Sequence, residues 1–220
     1  MKKADNISEN TGKMKKRIII IIIAVIGIML LLFVMTLIAE KILSGLSKED
    51  EQTYSYNFYP ADYEENIFTD SEYIEKTKEG FIYYCDSYTN ITTGIYRENY
   101  DEYSDDLKFL IDYIYFMIYG DAEGYNNCYS DKYYDSHSPI GNFTMQKIYD
   151  VYITKQSEAD VISDDGTTYT QYNYVIEYKI LKNNGTLRND IGSGSKKQYI
   201  TMSDSTGKIL IDSVSISRYS

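Results

Sequence analysis

The sequence predicts an α+β domain carried on one N-terminal transmembrane helix. Three observations lead there. Residues 18 to 39, IIIIIIAVIGIMLLLFVMTLIA, run for 22 positions without a charge. Apolar residues between about 70 and 136 recur at helical spacing, and beyond Phe143 the pattern changes to strand-like alternation. Expected are about three helices packed on one face of a curved, mainly antiparallel sheet of about four strands.

At 1.5 Å per residue the apolar run makes a helix about 33 Å long, enough to cross a hydrocarbon core of about 30 Å. A cleaved secretory signal has a shorter apolar region and small residues before its cleavage site. Here the exit reads Thr36-Leu37-Ile38-Ala39-Glu40, so an uncleaved anchor in the lipid bilayer is expected. Six basic residues (Lys2, Lys3, Lys13, Lys15, Lys16, Arg17) precede the run against Asp5 and Glu9. Basic flanks stay cytoplasmic. Residues 1–17 are therefore a basic cytoplasmic tail, 18–39 the span, 40–68 an extracellular stalk and 69–220 the extracellular domain.

Residues 40 to 220 hold 16 basic and 31 acidic side chains, a net charge of −15. Such a surface repels nucleic acid. It serves solubility, or a basic partner. The chain has 26 tyrosines, no tryptophan and two prolines. The joint abundance of Ile, Lys, Asn, Asp and Tyr, all with AT-rich codons, suggests a low-GC bacterium.

Within the domain, Thr69-Asp70-Ser71-Glu72 reads as a capping box. Ile74, Lys78, Phe81, Cys85 and Tyr88 follow at steps of four and three, predicting a first helix with Cys85 facing inward and an end at Asn90 to Gly94. A second helix from about Asn99 to Tyr119 buries Tyr103, Leu107, Leu110, Ile111, Ile114 and Ile118, and Gly120 stops it. Asp121 caps a third that ends before His137-Ser138-Pro139. Strands follow at Phe143 to Glu158, at Gln171 to Ile180 after the Asp164-Asp165-Gly166 turn, at Lys196 to Met202 and at Lys208 to Ile216.

Two phrases, FMIYGDAEGYNNCYSDKYY (116–134) and KKQYITMSDSTGKILIDSV (196–214), carry a resemblance to nuclear-transport-factor-2-like domains. There they correspond to a helix ending at Gly-Asp before a short helix, and to the two closing strands. The resemblance covers about residues 70 to 217. It implies a cone of curved sheet wrapped around helices, with a mouth that can be a pocket. That superfamily holds isomerases and cyclases, and also non-catalytic ectodomains of membrane-anchored subunits of bacterial conjugation and secretion machines. Tail, span, stalk and one outer domain are similar to the latter, an arrangement for protein partners in the cell envelope.

Candidate chemistry is sparse, and no enzyme activity, cofactor or metal is expected. His137 is the single histidine, so any base or serine triad would have to use it. Tyr172, Tyr174 and Tyr178 share one strand face and would line a pocket, or else pack under the helices. A tyrosine beside a neutral acid could form an oxyanion hole in such a cone. Asp160, Asp164, Asp165 and Gly166 hint at calcium but lack the twelve-residue loop spacing. Gly192 to Lys197 lacks phosphate-loop spacing. Asn90, Asn142 and Asn184 sit in glycosylation-type tripeptides, which mean little in a bacterium. Cys85 and Cys128 lie outside the membrane, where a bridge worth roughly 3 to 4.7 kcal/mol could persist; a buried free thiol is the alternative. The expected role is an interaction or assembly domain, with a small-ligand-binding or enzymatic cone, or an immunity-type protein that blocks a secreted toxin, as the other readings.

Overall fold

A computed structural model describes residues 56–87 and 91–216. The tail 1–17, the expected membrane span 18–39 and the stalk as far as 55 lie outside the described residues. Among the described residues no helix is long and apolar enough to cross a membrane.

Among the described residues four helices and six strands occur in the order α1 (Ser71–Thr77), β1 (Ile82–Asp86), β2 (Ile91–Gly94), α2 (Asp105–Tyr119), α3 (Ala122–Asn127), α4 (Asp131–Tyr134), β3 (Ile148–Ile162), β4 (Thr168–Ile180), β5 (Gln198–Ser203) and β6 (Leu210–Ser215). The sheet runs β2-β1-β3-β4-β5-β6. All neighbours are antiparallel except β1 and β3, which are parallel.

The expected sheet of about four mainly antiparallel strands is thus corrected to a mixed sheet of six. The error lies between residues 78 and 94. Asp70 caps α1 by accepting from the amides of Glu72 and Tyr73, but the helix stops at Thr77. Gly80 then takes φ +95°, and Phe81-Ile82-Tyr83-Tyr84 is a β-branched and aromatic run that favours extended backbone. Its inward residue is Ile82, 2% exposed, while Ile74 on the expected buried stripe is 47% exposed. Cys85 therefore sits on a strand, in register with Thr92 and Thr154.

The second helix agrees more closely with its periodicity. A 3-10 turn at Arg97–Glu102 precedes α2, and Leu107, Leu110, Ile111, Ile114 and Ile118 are buried. Gly120 ends it at φ +68°. The expected third helix is divided into α3 and α4, because Tyr129 leaves the helix to bridge Ile211 of β6. Strand β3 begins five residues later than expected and is bent twice, with register breaks between Tyr149 and Tyr152 and between Lys155 and Ser157.

The core lies between α2 and the inner sheet face, where Ile148, Val151, Ile153, Tyr174, Ile176, Tyr178, Ile200, Met202 and Ile211 are buried. Packing also reaches back into the segment read as stalk. Ile67 is fully buried, the Tyr59 amide donates to the Asn183 carbonyl at 3.0 Å, and Lys147 joins Glu65 at 2.6 Å.

Candidate functional site

Tyr174 and Tyr178 project from alternate positions of β4 into the space under α2, as their spacing predicts, while Tyr172 one step earlier is half-buried. The space is filled. Tyr174 is 2% and Tyr178 1% exposed. The Tyr174 hydroxyl donates to Asp106 Oδ2 at 2.7 Å, and Lys155 donates to the same oxygen at 2.7 Å and to Glu158 at 2.6 Å. The Lys155 ammonium also lies over the Tyr172 ring, 5.3 Å from its centroid.

An acid beside a tyrosine is therefore present, but with the protons arranged opposite to an oxyanion hole. Burial alone would raise the Asp106 carboxyl; the bonds led by Lys155 outweigh it and hold the group below the usual carboxylate value. Asp106 is an ionised acceptor held by Lys155 and Tyr174. Burial, reinforced by Asp106, pushes the Tyr174 phenol far above its ordinary range.

Tyr178 is fixed in the same manner. Arg188, 8% exposed, donates to the Tyr178 oxygen at 3.1 Å and pairs with Asp190 at 2.8 Å. The Tyr178 hydroxyl points at Met117 Sδ, 3.6 Å away. A second cluster joins α2 to α3: the hydroxyls of Tyr113, Tyr125 and Tyr129 are within 2.7 to 3.3 Å of one another. Burial raises all three, Tyr125 to about 12. Hydroxyls paired this way keep a polar core specified.

The remaining candidates separate. His137 is exposed on the turn after α4, stacked on Tyr133 at 4.2 Å, with Nδ1 3.0 Å from the Tyr133 carbonyl. The same Nδ1 lies 3.0 Å from the hydroxyl of the adjacent Ser136, and no carboxylate is among these hydrogen-bond partners. Asp165 closes the β3–β4 turn by accepting from the Thr167 amide at 2.9 Å, and Gly166 supplies φ +85°. Among the described residues no group of acidic, histidine or cysteine side chains could hold a metal. Residues 192 to 197 form a loop in which Ser195 donates to Glu177 at 2.7 Å. Asn184 donates to Thr144 at 2.7 Å, Asn142 is exposed, and Asn90 lies outside the described residues.

Cys85 and Cys128 are not joined; both are free thiols. Cys85 lies on β1 with Sγ 3.5 Å from Thr92 Oγ1. Cys128 is buried after α3, donating to the Gly124 carbonyl at 3.3 Å, and burial lifts its thiol to about 12.

One concavity was not anticipated. Between the Arg97–Glu102 turn and α2 lies a groove of about 440 Å³. Ile95 and Ile111, both buried, form its floor. Tyr96 and Tyr100 stand on the turn side, Tyr115 and Tyr119 on the α2 side, and Asp101 and Asp112 at the rim. Tyr100 donates to Asp112 Oδ2 at 2.9 Å, and Tyr115 and Tyr119 stack at 6.2 Å. Tyr119, Tyr115 and Asp112 are four and three apart along α2, a spacing visible in the sequence; their convergence with Tyr96 depends on β2 and the turn. No protein-family model, curated protein or solved structure matches the chain.

Proposed function

We propose that this chain is a non-catalytic interaction domain of a bacterial cell envelope, held at the membrane through residues 18–39 with its N-terminus inside and its acidic domain outside. The observation that carries this reading is the filling of the space between α2 and the sheet by Tyr174 and Tyr178. Where a ligand-binding relative of the cone type would keep an open mouth, Tyr174 and Tyr178 close the space and spend their hydroxyls on Asp106, Arg188 and Met117. The groups left to meet another molecule are on the surface. A long helix laid across a bent sheet, followed by the β3–β6 meander, also supports kinship with the nuclear-transport-factor-2-like cone.

Orientation is tested by labelling intact cells with a membrane-impermeant amine reagent. Lys132 and Lys208, both exposed, should react, and Lys13, Lys15 and Lys16 should react only after lysis. Interaction is tested by placing a photo-crosslinker at Tyr119 or Tyr152 in the cell. A discrete adduct with another envelope protein is expected; labelling of the tail first, or monomer alone from every surface position, would sink the reading.

A further inference from the structure

The groove between the Arg97–Glu102 turn and α2 has a chemistry that the interaction reading leaves open. Among the described side chains its lining contains four phenol rings and two carboxylates and no basic group. The faces of such rings attract cations, and adjacent carboxylates supply the countercharge. Asp112 Oδ2 accepts from Tyr100, but a carboxylate has about four lone-pair sites, so capacity for a further donor remains.

The walls are set in advance. An added Cβ at Gly94 would stand 2.9 Å from the Tyr96 ring, and one at Gly80 would stand 3.1 Å from it; the ring lies directly against these two glycines. The Tyr96 backbone amide donates to Asn99 Oδ1 at 2.9 Å. Across the groove, Tyr115 packs edge-on against Phe81 and Tyr119 lies against Phe68. Rings fixed this way lose little freedom when a ligand arrives.

We propose that this groove receives a lysine or arginine side chain from a basic segment of a protein partner. A space of about 440 Å³ exceeds one ammonium or guanidinium group and leaves room for the flanking backbone, which favours a polypeptide over a free small cation. The net charge of −15 over residues 40 to 220 draws a basic segment toward this face. The assignment rests on the interaction reading above and gives that reading a chemical partner.

The test uses the full chain in nonionic detergent and a short acetylated, amidated arginine-glycine peptide, followed by calorimetry and by tyrosine ring shifts. Saturable binding is expected, weakening with salt, with the citrulline peptide about tenfold weaker, as for loss of one charge-assisted contact. The double variant Asp101→Asn/Asp112→Asn removes exposed charges only. It should keep the wild-type near-ultraviolet circular dichroism and bind about tenfold more weakly. Gly94→Ala, which displaces the Tyr96 ring, should weaken the arginine peptide as well. Equal binding of citrulline, unchanged binding by the double variant, or no saturable binding overturns the proposal. Crosslinking from Tyr152, on the opposite sheet face, would still report a partner in that case, so the two readings fail separately.

Discussion

Asp70 joins three parts of the domain, and the consequences of removing it can be separated. Its Oδ1 accepts from the amides of Glu72 and Tyr73 at 2.9 and 3.3 Å, capping α1. Its Oδ2 accepts from Lys147 at 2.7 Å and Lys182 at 3.2 Å. The Lys147 side chain is 6% exposed and also pairs with Glu65 at the end of the segment leading from the stalk. Asp70→Asn keeps a good cap and loses the charge; Asp70→Ala loses both. A cap is worth about 1 kcal/mol. A charge-assisted bond is worth about 1.5–3 kcal/mol, and because Lys147 retains Glu65 the lower end applies. The expected costs are about 1.5 kcal/mol for Asn and about 2.5 kcal/mol for Ala. Lys147→Met removes the buried ammonium together with its desolvation penalty and should cost about 1 kcal/mol or less. The bond from Lys147 is the largest influence holding the Asp70 carboxyl far below its ordinary value of 3.8. With the folded value depressed, this stabilisation is complete above the unfolded value and is lost as pH falls through the folded one. Urea unfolding of the full chain in nonionic detergent, followed by near-ultraviolet tyrosine circular dichroism, should show the gap between wild type and Asp70→Asn constant from pH 7 to about 5 and narrowing below about 4. Equal stability of wild type and Asp70→Asn at pH 7, with Asp70→Ala lower by the cap alone, would refute the ion-pair reasoning.

Asp106→Asn strands the Lys155 ammonium with Glu158 as its remaining carboxylate and should lower stability by about 2 kcal/mol in the same urea assay, whereas Asp106→Leu with Lys155→Met should recover most of that loss. Gly120→Ala forces a side chain into φ +68° and puts its Cβ 2.9 Å from the Met145 backbone nitrogen, so a loss of about 2 kcal/mol is expected. Alkylation of the denatured chain without reductant should add two groups by mass spectrometry, and native alkylation should leave Cys128 unmodified; a chain that takes up none when denatured would contradict the free thiols. Removing residues 1–39 should leave a soluble chain with the wild-type tyrosine dichroism, and persistent aggregation would show that the remaining part does not fold by itself.

Elements governed by their own residues were legible. The α2 stripe from Leu107 to Ile118 is long enough for its period to be unmistakable, and Asp164-Asp165-Gly166 needs no partner to make a turn. The region after Ile74 misled because Ile74 lies on α1 and Cys85 on β1, and the helical period that joins them through Lys78 and Phe81 is a coincidence of two different elements; Tyr88, the last position of that expected stripe, lies outside the described residues. The strand signal in Phe81-Ile82-Tyr83-Tyr84 after Gly80 is local; its parallel pairing with Val151 to Lys155 spans some seventy residues and leaves no mark on either segment. The ionic contacts were illegible for the same reason. Asp106 and Lys155 are 49 positions apart, and Glu65 and Lys147 are 82 apart. An acidic sequence offers too many carboxylates for any one pairing to be foreseen.

The tyrosine content acquires a physical meaning from where the hydroxyls end. Phenylalanine would fill the volume under α2 equally well, but Tyr73 reaches the Ile148 carbonyl at 3.0 Å, Tyr174 reaches Asp106, and Tyr113, Tyr125 and Tyr129 satisfy one another. The Tyr174 bond exists in one register of β4 against α2, so a slipped β4 would bury that hydroxyl without its partner, at about 1–3 kcal/mol. Tyrosine therefore selects the packing arrangement as well as filling it. On the outside the same residue acts through its ring: Tyr83 stacks on Tyr152 at 5.3 Å across the β1–β3 pair, and four rings line the groove beside α2. The two uses predict opposite responses to tyrosine-to-phenylalanine exchange. Inside, at Tyr113, Tyr129 or Tyr174, the exchange should lower stability and leave arginine-peptide binding by the folded fraction intact. In the groove, at Tyr96 or Tyr119, it should preserve both, because a cation meets the ring face and not the hydroxyl; Tyr96→Leu should then lower binding alone. A groove phenylalanine variant that loses binding as completely as the leucine variant would assign recognition to the hydroxyl and exclude the cation–ring contact.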